Sequence, residues 1–316
     1  MKVLVTGGAG FIGSALVKYL ASTDVEVCVL DDMSRGNADR LAGVRHHRIV
    51  ADVRDADAVT WAMQGCSWVF HLAYLQGTQT FYANPREVLD VALRGMLNVL
   101  DASAKTACSN MVLFSSSEAY QIAQVVPTPE EVPLVVPDPL NPRYSYGGGK
   151  IACELAALAW ARDGILDHLN IIRPHNVIGP DMGREHVIPE FAIRMNKLAA
   201  EQPEGTIEFP IQGTGEETRC FVYIDDFIAQ LDWAWGAENG IYHLGTQDER
   251  TISDVAHAVA ACYSREIKVV PGVLAKGSPP KRMPDTRKIE ELGYAGPTVS
   301  FSDAIRRTVK WYQENG

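Results

Sequence analysis

The residues best suited to chemistry are Tyr146 and Lys150, four positions apart, and a run of hydroxyls and a carboxylate, Ser115-Ser116-Ser117-Glu118-Ala119-Tyr120. On a helix, a four-residue spacing brings a phenol and an ammonium to one face. A neighbouring ammonium favours phenolate and lowers a phenol's pKa from its ordinary value of about 10. Such a phenolate can take the proton of a hydroxyl while a hydride leaves the carbon that bears it. A serine nearby can share that hydroxyl's hydrogen bond. Tyr-x-x-x-Lys recurs on many helices, so its meaning depends on what else shares the frame that carries it.

That frame begins at the first residues. Val3-Leu4-Val5 is an apolar run short enough for one buried strand. Gly7, Gly8, Gly10 and Gly13 follow, and then the periodic apolar positions Ala15, Leu16, Val17 and Leu20 of a helix. Val25–Leu30 is a second strand and ends on Asp31-Asp32. Glycines let a backbone approach a pyrophosphate, and a helix N-terminus turns free N–H groups and partial positive charge toward it. A carboxylate closing the second strand can take a ribose diol and repels a 2′-phosphate, which favours NAD over NADP. The spacing Gly7-x-x-Gly10-x-x-Gly13 departs from the commoner G-x-G-x-x-G, and a tight turn without a ligand is the alternative. Strand, turn, helix, strand and acid in this order support the dinucleotide.

Further strands are expected at 48–52, 68–72, 110–115 and 169–173, with helices over 85–107 and 146–162. This alternation predicts a doubly wound α/β fold with a parallel sheet. Ligands of such sheets sit beyond the carboxyl ends of the strands. That edge holds Thr6–Gly10, Asp31-Asp32, Asp52-Val53, His71–Tyr74, Ser115–Glu118 and Arg173–Asn176. Six prolines between Val125 and Arg143 mark a long loop of the kind that closes over sites. The alternation fades after Pro174. Residues 1–174 are therefore read as a dinucleotide domain with return segments within 221–260, and 175–316 as mainly a smaller substrate domain.

With 316 residues, 47% of them hydrophobic, the chain can bury a substantial core. A net charge of −10 argues against a nucleic-acid or anionic-membrane surface. The six cysteines lack paired spacing, which suggests a reducing compartment and no metal site. No apolar run approaches the about 20 residues of a membrane helix, and the first strand starts too early for a signal peptide to precede it. A soluble, cytoplasmic protein is expected.

Several stretches together give the chain a resemblance: TGGAGFIG, Asp31-Asp32, Asp52-Val53, His71-Leu72-Ala73, SSSEAY, Tyr146-x-x-x-Lys150, RPHNVIGP (173–180), ETRCFVYIDD (217–226) and PKRMPDTRKIEELGY (280–294). Over nearly its whole length it resembles the extended short-chain dehydrogenase/reductase family, in the NAD-dependent nucleotide-sugar epimerase and dehydratase branch. The resemblance implies a Rossmann fold and a tightly held NAD that takes a hydride from a sugar's C4 and later returns it. It implies cofactor contacts from Gly7, Gly10, Phe11, Ile12, Gly13, Asp31, Asp32, Ser34, Asp52, Val53, Leu72, Ala73, Tyr146, Lys150 and Pro174. It makes Tyr146 the base for the 4-hydroxyl, Lys150 its electrostatic partner, and Ser116 the hydroxyl that bonds O4. Ser117 is placed against the substrate. Asn176, Arg219 and Arg282 resemble contacts to the substrate's diphosphate, since arginine forks match phosphate oxygens. A homodimer through the helices at 86–106 and 147–162 is also implied.

A C4 ketone acidifies the hydrogens on C3 and C5. The family uses it to invert C4, to invert C3 or C5, to eliminate water or to lose a carboxylate. Family 4,6-dehydratases resemble Thr-Asp-Glu at 116–118, and here Ser117 replaces the aspartic acid that protonates the leaving hydroxyl. The Ser-Glu pair at 117–118 resembles UDP-glucuronate decarboxylases, whereas simple 4-epimerases more often carry a small uncharged residue at 118. Gly183-Arg184-Glu185-His186 resembles a stretch of GDP-mannose 3,5-epimerases in which a lysine at 186 works opposite a cysteine at 118. Glu118 and His186 are thus candidate acid–base groups for inversion. The expected function is epimerisation at C3/C5 or C4, with dehydration or decarboxylation as the alternative. Outside enzymes, a non-catalytic NAD-binding regulator would lack the Ser, Tyr or Lys that this chain keeps.

Four departures from the family pattern stand out. Gly147, Gly148 and Gly149 fall in the expected first turn of a helix, where each costs about 1 kcal/mol relative to alanine. Ala92 stands where the family usually has an asparagine that ties the neighbouring strand. Gln121 replaces the usual glycine after Tyr120, and Tyr74 replaces a small residue, which is expected to narrow the sugar site.

Overall fold

A computed structural model describes residues 1–274 and 277–315. The first half runs β1 (Lys2–Thr6), α1 (Phe11–Ala21), β2 (Glu26–Asp31), β3 (His47–Val50), α2 (Ala56–Met63), β4 (Trp68–His71), α3 (Thr78–Ala83), α4 (Pro85–Thr106), β5 (Asn110–Phe114), α5 (Tyr144–Arg162) and β6 (His168–Pro174). The second half runs β7 (Val177–Ile178), α6 (Val187–Glu201), β8 (Ile207–Pro210), β9 (Thr218–Cys220), β10 (Val222–Tyr223), α7 (Ile224–Trp235), β11 (Gly240–Leu244), β12 (Glu249–Thr251), α8 (Ile252–Ala261), β13 (Ile267–Val270), β14 (Lys281–Arg282), α9 (Arg287–Glu291) and α10 (Phe301–Asn315).

Seven strands form one sheet in the order β11-β6-β5-β4-β1-β2-β3. The pairings among β1 to β6 are parallel. Strand order reverses between β1 and β4, the switch point at which open α/β sheets hold their ligands. Successive residues face opposite sides of a strand. Leu4, Leu30, Val69, Met111 and Ile171 accordingly pack with Met63, Met96, Leu100 and Cys153 of the helices on one face. Val3, Val5, Val29, Phe70 and Val112 are buried on the other. There Trp68 and Phe70 meet Trp235 of α7 at 4.9 and 5.5 Å. Apolar runs without polar alternation are what a sheet covered on both faces requires.

The chain divides into two compact units. The first comprises Met1–Tyr120, Leu134–Pro174 and Ile228–Tyr242; the second comprises Gln121–Pro133, His175–Phe227 and the chain from His243 on. The segment that returns to the first unit supplies most of α7 and β11. In the second unit β7 pairs with β10, β8 with β13, and β9 lies between β12 and β14. Buried Asp226 takes both Thr298 donors, at 2.8 and 2.7 Å, and the Val299 N–H at 3.0 Å. Thr251 and Asp254 close a capping box on α8, an arrangement worth about 1 kcal/mol.

Most element boundaries lie within one residue of expectation, and two lie two residues away. β3 ends at Val50, before Asp52. α5 starts at Tyr144, so Gly147 closes its first turn and Gly148 and Gly149 lie in its second. Among the described residues no helix is long and apolar enough to cross a membrane, no cluster of His, Cys, Asp and Glu is arranged to hold a metal, and the six cysteines are free thiols.

Candidate active site

The glycine turn is fixed by close contacts. Gly7 has a φ of +69°, and a Cβ there would stand 2.8 Å from the Ala73 nitrogen. A Cβ on Gly13 would stand 2.2 Å from the Gly7 carbonyl oxygen. Gly10 caps α1 in extended backbone without a side-chain hydrogen bond. The first-turn N–H groups, from Phe11 and Ile12 onward, are thus without a side-chain cap, and helix geometry gives them no intrahelical acceptor.

At the end of β2, the buried Asp31 carboxylate accepts the Ala9 N–H on Oδ2 and the Met33 N–H on Oδ1, both at 2.9 Å. Burial pushes this carboxyl up; the two N–H groups and Arg40 act against that rise. Each oxygen keeps a lone pair for a ribose hydroxyl. Gly36 makes the room, since a Cβ there would lie 2.6 Å from Asp31 Oδ1. Asp32 is exposed and accepts the Ser34 N–H at 2.9 Å and the Ser34 hydroxyl at 2.6 Å. Asp52 is gripped by Arg54, with Nη2 2.6 Å from Oδ2, and the guanidinium holds its carboxyl below the usual value. The Val53 carbonyl accepts the Asn98 amide at 3.0 Å, and its side chain fills the space beside Gly95.

Leu72 and Ala73 donate their N–H groups to Thr6 Oγ1, both at 3.2 Å. The Thr6 proton therefore goes to His71 Nδ1 at 2.8 Å, leaving the ring proton on Nε2. Burial, with the Lys150 charge, pushes His71 down to about 3, so the ring is neutral. Pro174 ends β6. Glycine cradle, uncapped helix and oriented acid fit a dinucleotide, and among the described residues other than its chain neighbours a Cβ on Gly10 would meet only the Gly7 oxygen, at 3.2 Å.

α5 carries the reactive pair. Lys150 is buried, donates to the Phe114 carbonyl at 2.6 Å, and lies 5.8 Å from the centre of the Tyr146 ring. Burial lowers the ammonium to about 8. Tyr146 stands between Tyr74, edge-on at 5.0 Å, and Phe81, stacked at 4.7 Å. The Ser116 hydroxyl accepts the Glu118 N–H at 3.1 Å, so its own proton remains to be donated. Ser117 is buried and Glu118 half-buried, both in a single 3₁₀ turn over Ser117–Tyr120.

Beneath that turn lies a buried ion pair absent from the sequence reading. Arg173 donates to Glu154 from Nε at 3.0 Å and from Nη2 at 2.6 Å. It also donates to the Tyr120 hydroxyl, and Ser115 donates to Glu154. Glu154 lies four residues beyond Lys150 and so continues the Tyr146–Lys150 face, which was the signal that could have found it. Gln121 has a φ of +54°, which explains the family's glycine there: glycine takes this conformation freely, whereas a side chain costs about 1–2 kcal/mol.

The second unit holds the other expected residues. Asn176 has a φ of +37° and donates to the Cys220 carbonyl at 2.8 Å. Arg219 on β9 donates to the Thr218 carbonyl at 2.7 Å. It pairs in register with Arg282 of β14 and Arg250 of β12, so three arginines share one row and one sheet face. Like charges side by side repel; Arg250 offsets part of this by pairing with Asp248 at 2.7 Å and lying over the Phe301 ring. Register pairing is invisible in sequence, so the row could not be read from it. His186 is half-buried at the N-cap of α6, in extended backbone, without a side-chain capping bond.

Residues 3–245 match the family described as NAD dependent epimerase/dehydratase. The chain is 29% identical, over 99% of its length and 98% of the relative's, to a UDP-N-acetyl-alpha-D-glucosaminuronate decarboxylase of Bacillus cytotoxicus. It superposes on a dTDP-glucose 4,6-dehydratase of Streptomyces venezuelae, solved with NAD, at a TM-score of 0.86 and 31% identity, covering 100% of this chain and 98% of that one. A UDP-glucose 4-epimerase of Thermotoga maritima, solved with UDP-glucose, gives a TM-score of 0.86 at 27% identity, covering 100% and 99%. The chain belongs to the NAD dependent epimerase/dehydratase family, whose members here include a nucleotide-sugar epimerase, a dehydratase and a decarboxylase.

Proposed function

We propose that the protein is an NAD-dependent epimerase of a nucleotide-diphosphate sugar, acting through transient oxidation at C4 and inversion at C3 or C5, or at C4 itself. The observation that carries this reading is the buried Lys150 ammonium on the Tyr146 face of α5, 5.8 Å from its ring. NAD, when bound, supplies the acceptor for the C4 hydride. Gly7, Gly10, Gly13 and the first turn of α1 would hold its pyrophosphate, and Asp31 a ribose diol. Asp32, Ser34, Asp52, Val53, Leu72, Ala73 and Pro174 would complete its surroundings.

Tyr146 takes the 4-hydroxyl proton, Lys150 stabilises the phenolate, and Ser116 donates its free proton to O4. Glu118 and His186 exchange the proton on C3 or C5, and Ser117 lines the sugar. Asn176, Arg219 and Arg282 hold the diphosphate, which makes the second unit the substrate domain. Charge-assisted bonds from arginine forks suit that group. Leu93 and Leu97 on α4 and Leu155 on α5 are exposed, and apolar faces of this kind support a homodimer through these helices. The six free thiols support a cytoplasmic setting.

The Ser117-Glu118 pair and the similarity to a decarboxylase favour a second reading, loss of a C5 carboxylate after the same oxidation. The test is incubation of the purified protein with NAD and a panel of UDP- and dTDP-sugars in heavy water. Deuterium at C3 or C5 of an inverted product supports the first reading. Loss of carbon dioxide or water supports the alternatives.

A further inference from the structure

We propose that Tyr74 is a positioning residue for the proton-transfer pair: its ring face holds the Lys150 ammonium beside the Tyr146 turn of α5, and Gly149 leaves the space that the Tyr74 hydroxyl occupies. The inference rests on the roles given above to Tyr146 and Lys150. Lys150 Nζ lies 3.9 Å over the centre of the Tyr74 ring, within the range of a cation–π contact. An ammonium has three donors; one goes to the Phe114 carbonyl, and the ring face receives the charge from another side. The Tyr74 hydroxyl donates to the Tyr146 carbonyl at 3.1 Å. Its ring also meets the Tyr146 ring edge-on at 5.0 Å. One side chain therefore touches the charge, the backbone and the ring of the pair.

The surroundings are shaped for it. A Cβ on Gly149 would stand 2.2 Å from the Tyr74 hydroxyl oxygen, with Ala92 Cβ next at 3.3 Å. The glycine in α5 and the tyrosine where the family has a small residue are one adjustment, because any side chain at 149 would overlap the Tyr74 hydroxyl.

The test uses the NAD-loaded protein and two readouts: the pH profile of kcat, and the tyrosinate absorbance step that is lost in Tyr146→Phe. Burial pushes the Tyr74 phenol well above 10, so Tyr74 does not contribute to that step. Tyr74→Phe keeps the ring and should leave both readouts in place. Tyr74→Leu removes the ring face and should move both to higher pH by about 0.5–1.5 units, with kcat near neutrality falling roughly 3- to 30-fold and little change in KM. Gly149→Ala, which displaces the ring without altering Tyr74, should move them likewise. Adding Tyr74→Phe to Gly149→Ala removes the overlapping oxygen and should restore them. Wild-type titration in Tyr74→Leu, or a shift that persists in the double variant, overturns the proposal. The absorbance step needs no turnover: if it shifts as described while no sugar nucleotide reacts, the catalytic reading fails and the role of Tyr74 in placing the pair stands.

Discussion

Replacing Arg173 with methionine should be among the most damaging single changes in the first unit. Arg173 and Glu154 side chains are each 3% exposed and joined at 2.6 Å. Methionine matches much of the volume but strands a buried carboxylate, and breaking a buried pair costs about 3–5 kcal/mol. The Tyr120 hydroxyl also loses the Arg173 donor, adding about 1 kcal/mol. Removing both charges, in Arg173→Met/Glu154→Leu, should be far milder than the sum of the single changes, because neither charge is left alone. Urea denaturation of the four proteins gives the coupling, expected at about 3 kcal/mol. Since Ser115 and Tyr120 flank the Ser116–Glu118 turn, kcat should fall in both single variants. Additive losses of stability, or an Arg173→Met protein as stable as the parent at neutral pH, would refute the reasoning.

Three further outcomes are expected. Tyr146→Phe should retain NAD and lose turnover by about 10²–10⁴-fold, checked by steady-state assay and by cofactor content after gel filtration. Arg219→Ala and Arg282→Ala should each weaken sugar-nucleotide binding by roughly 10- to 100-fold, as loss of a charge-assisted bond implies, with unaltered NAD affinity in titration calorimetry. His71 titrates at about 3 in the folded protein against an ordinary 6.5. The unfolded chain therefore binds more protons between those values, so stability is full above 6.5 and falls as pH drops toward 3, by up to about 1.4 kcal/mol per pH unit. His71→Gln should flatten that fall in denaturation midpoints measured from about pH 6 to 4.

Much of the first unit was legible in the sequence because local signals agree there. Apolar runs, the glycine turn and Asp31 closing β2 define the frame through short-range physics. Asp52 lies beyond β3 because β2, the strand it would pair with, ends at Asp31 opposite Val50; its carboxylate takes the Arg54 guanidinium instead. Gln121 was marked by comparison with the family's glycine, and the left-handed backbone supplies the reason. What escaped depends on distance along the chain. Arg173 meets Glu154 only once β6 and α5 are assembled, and the row of Arg219, Arg250 and Arg282 exists only in the strand register. Tyr74 was visible as an anomaly, yet its partner Gly149 lies 75 positions away, and neither residue alone reveals that one accommodates the other.

The central claim is that a hydride leaves C4 of the sugar and comes back to it. A nucleotide sugar carrying deuterium at C4, drawn from the panel that the protein turns over, tests this directly. The account predicts slowed turnover and a product that keeps the deuterium at C4. Deuterium released to water, or recovered at C6, would contradict it.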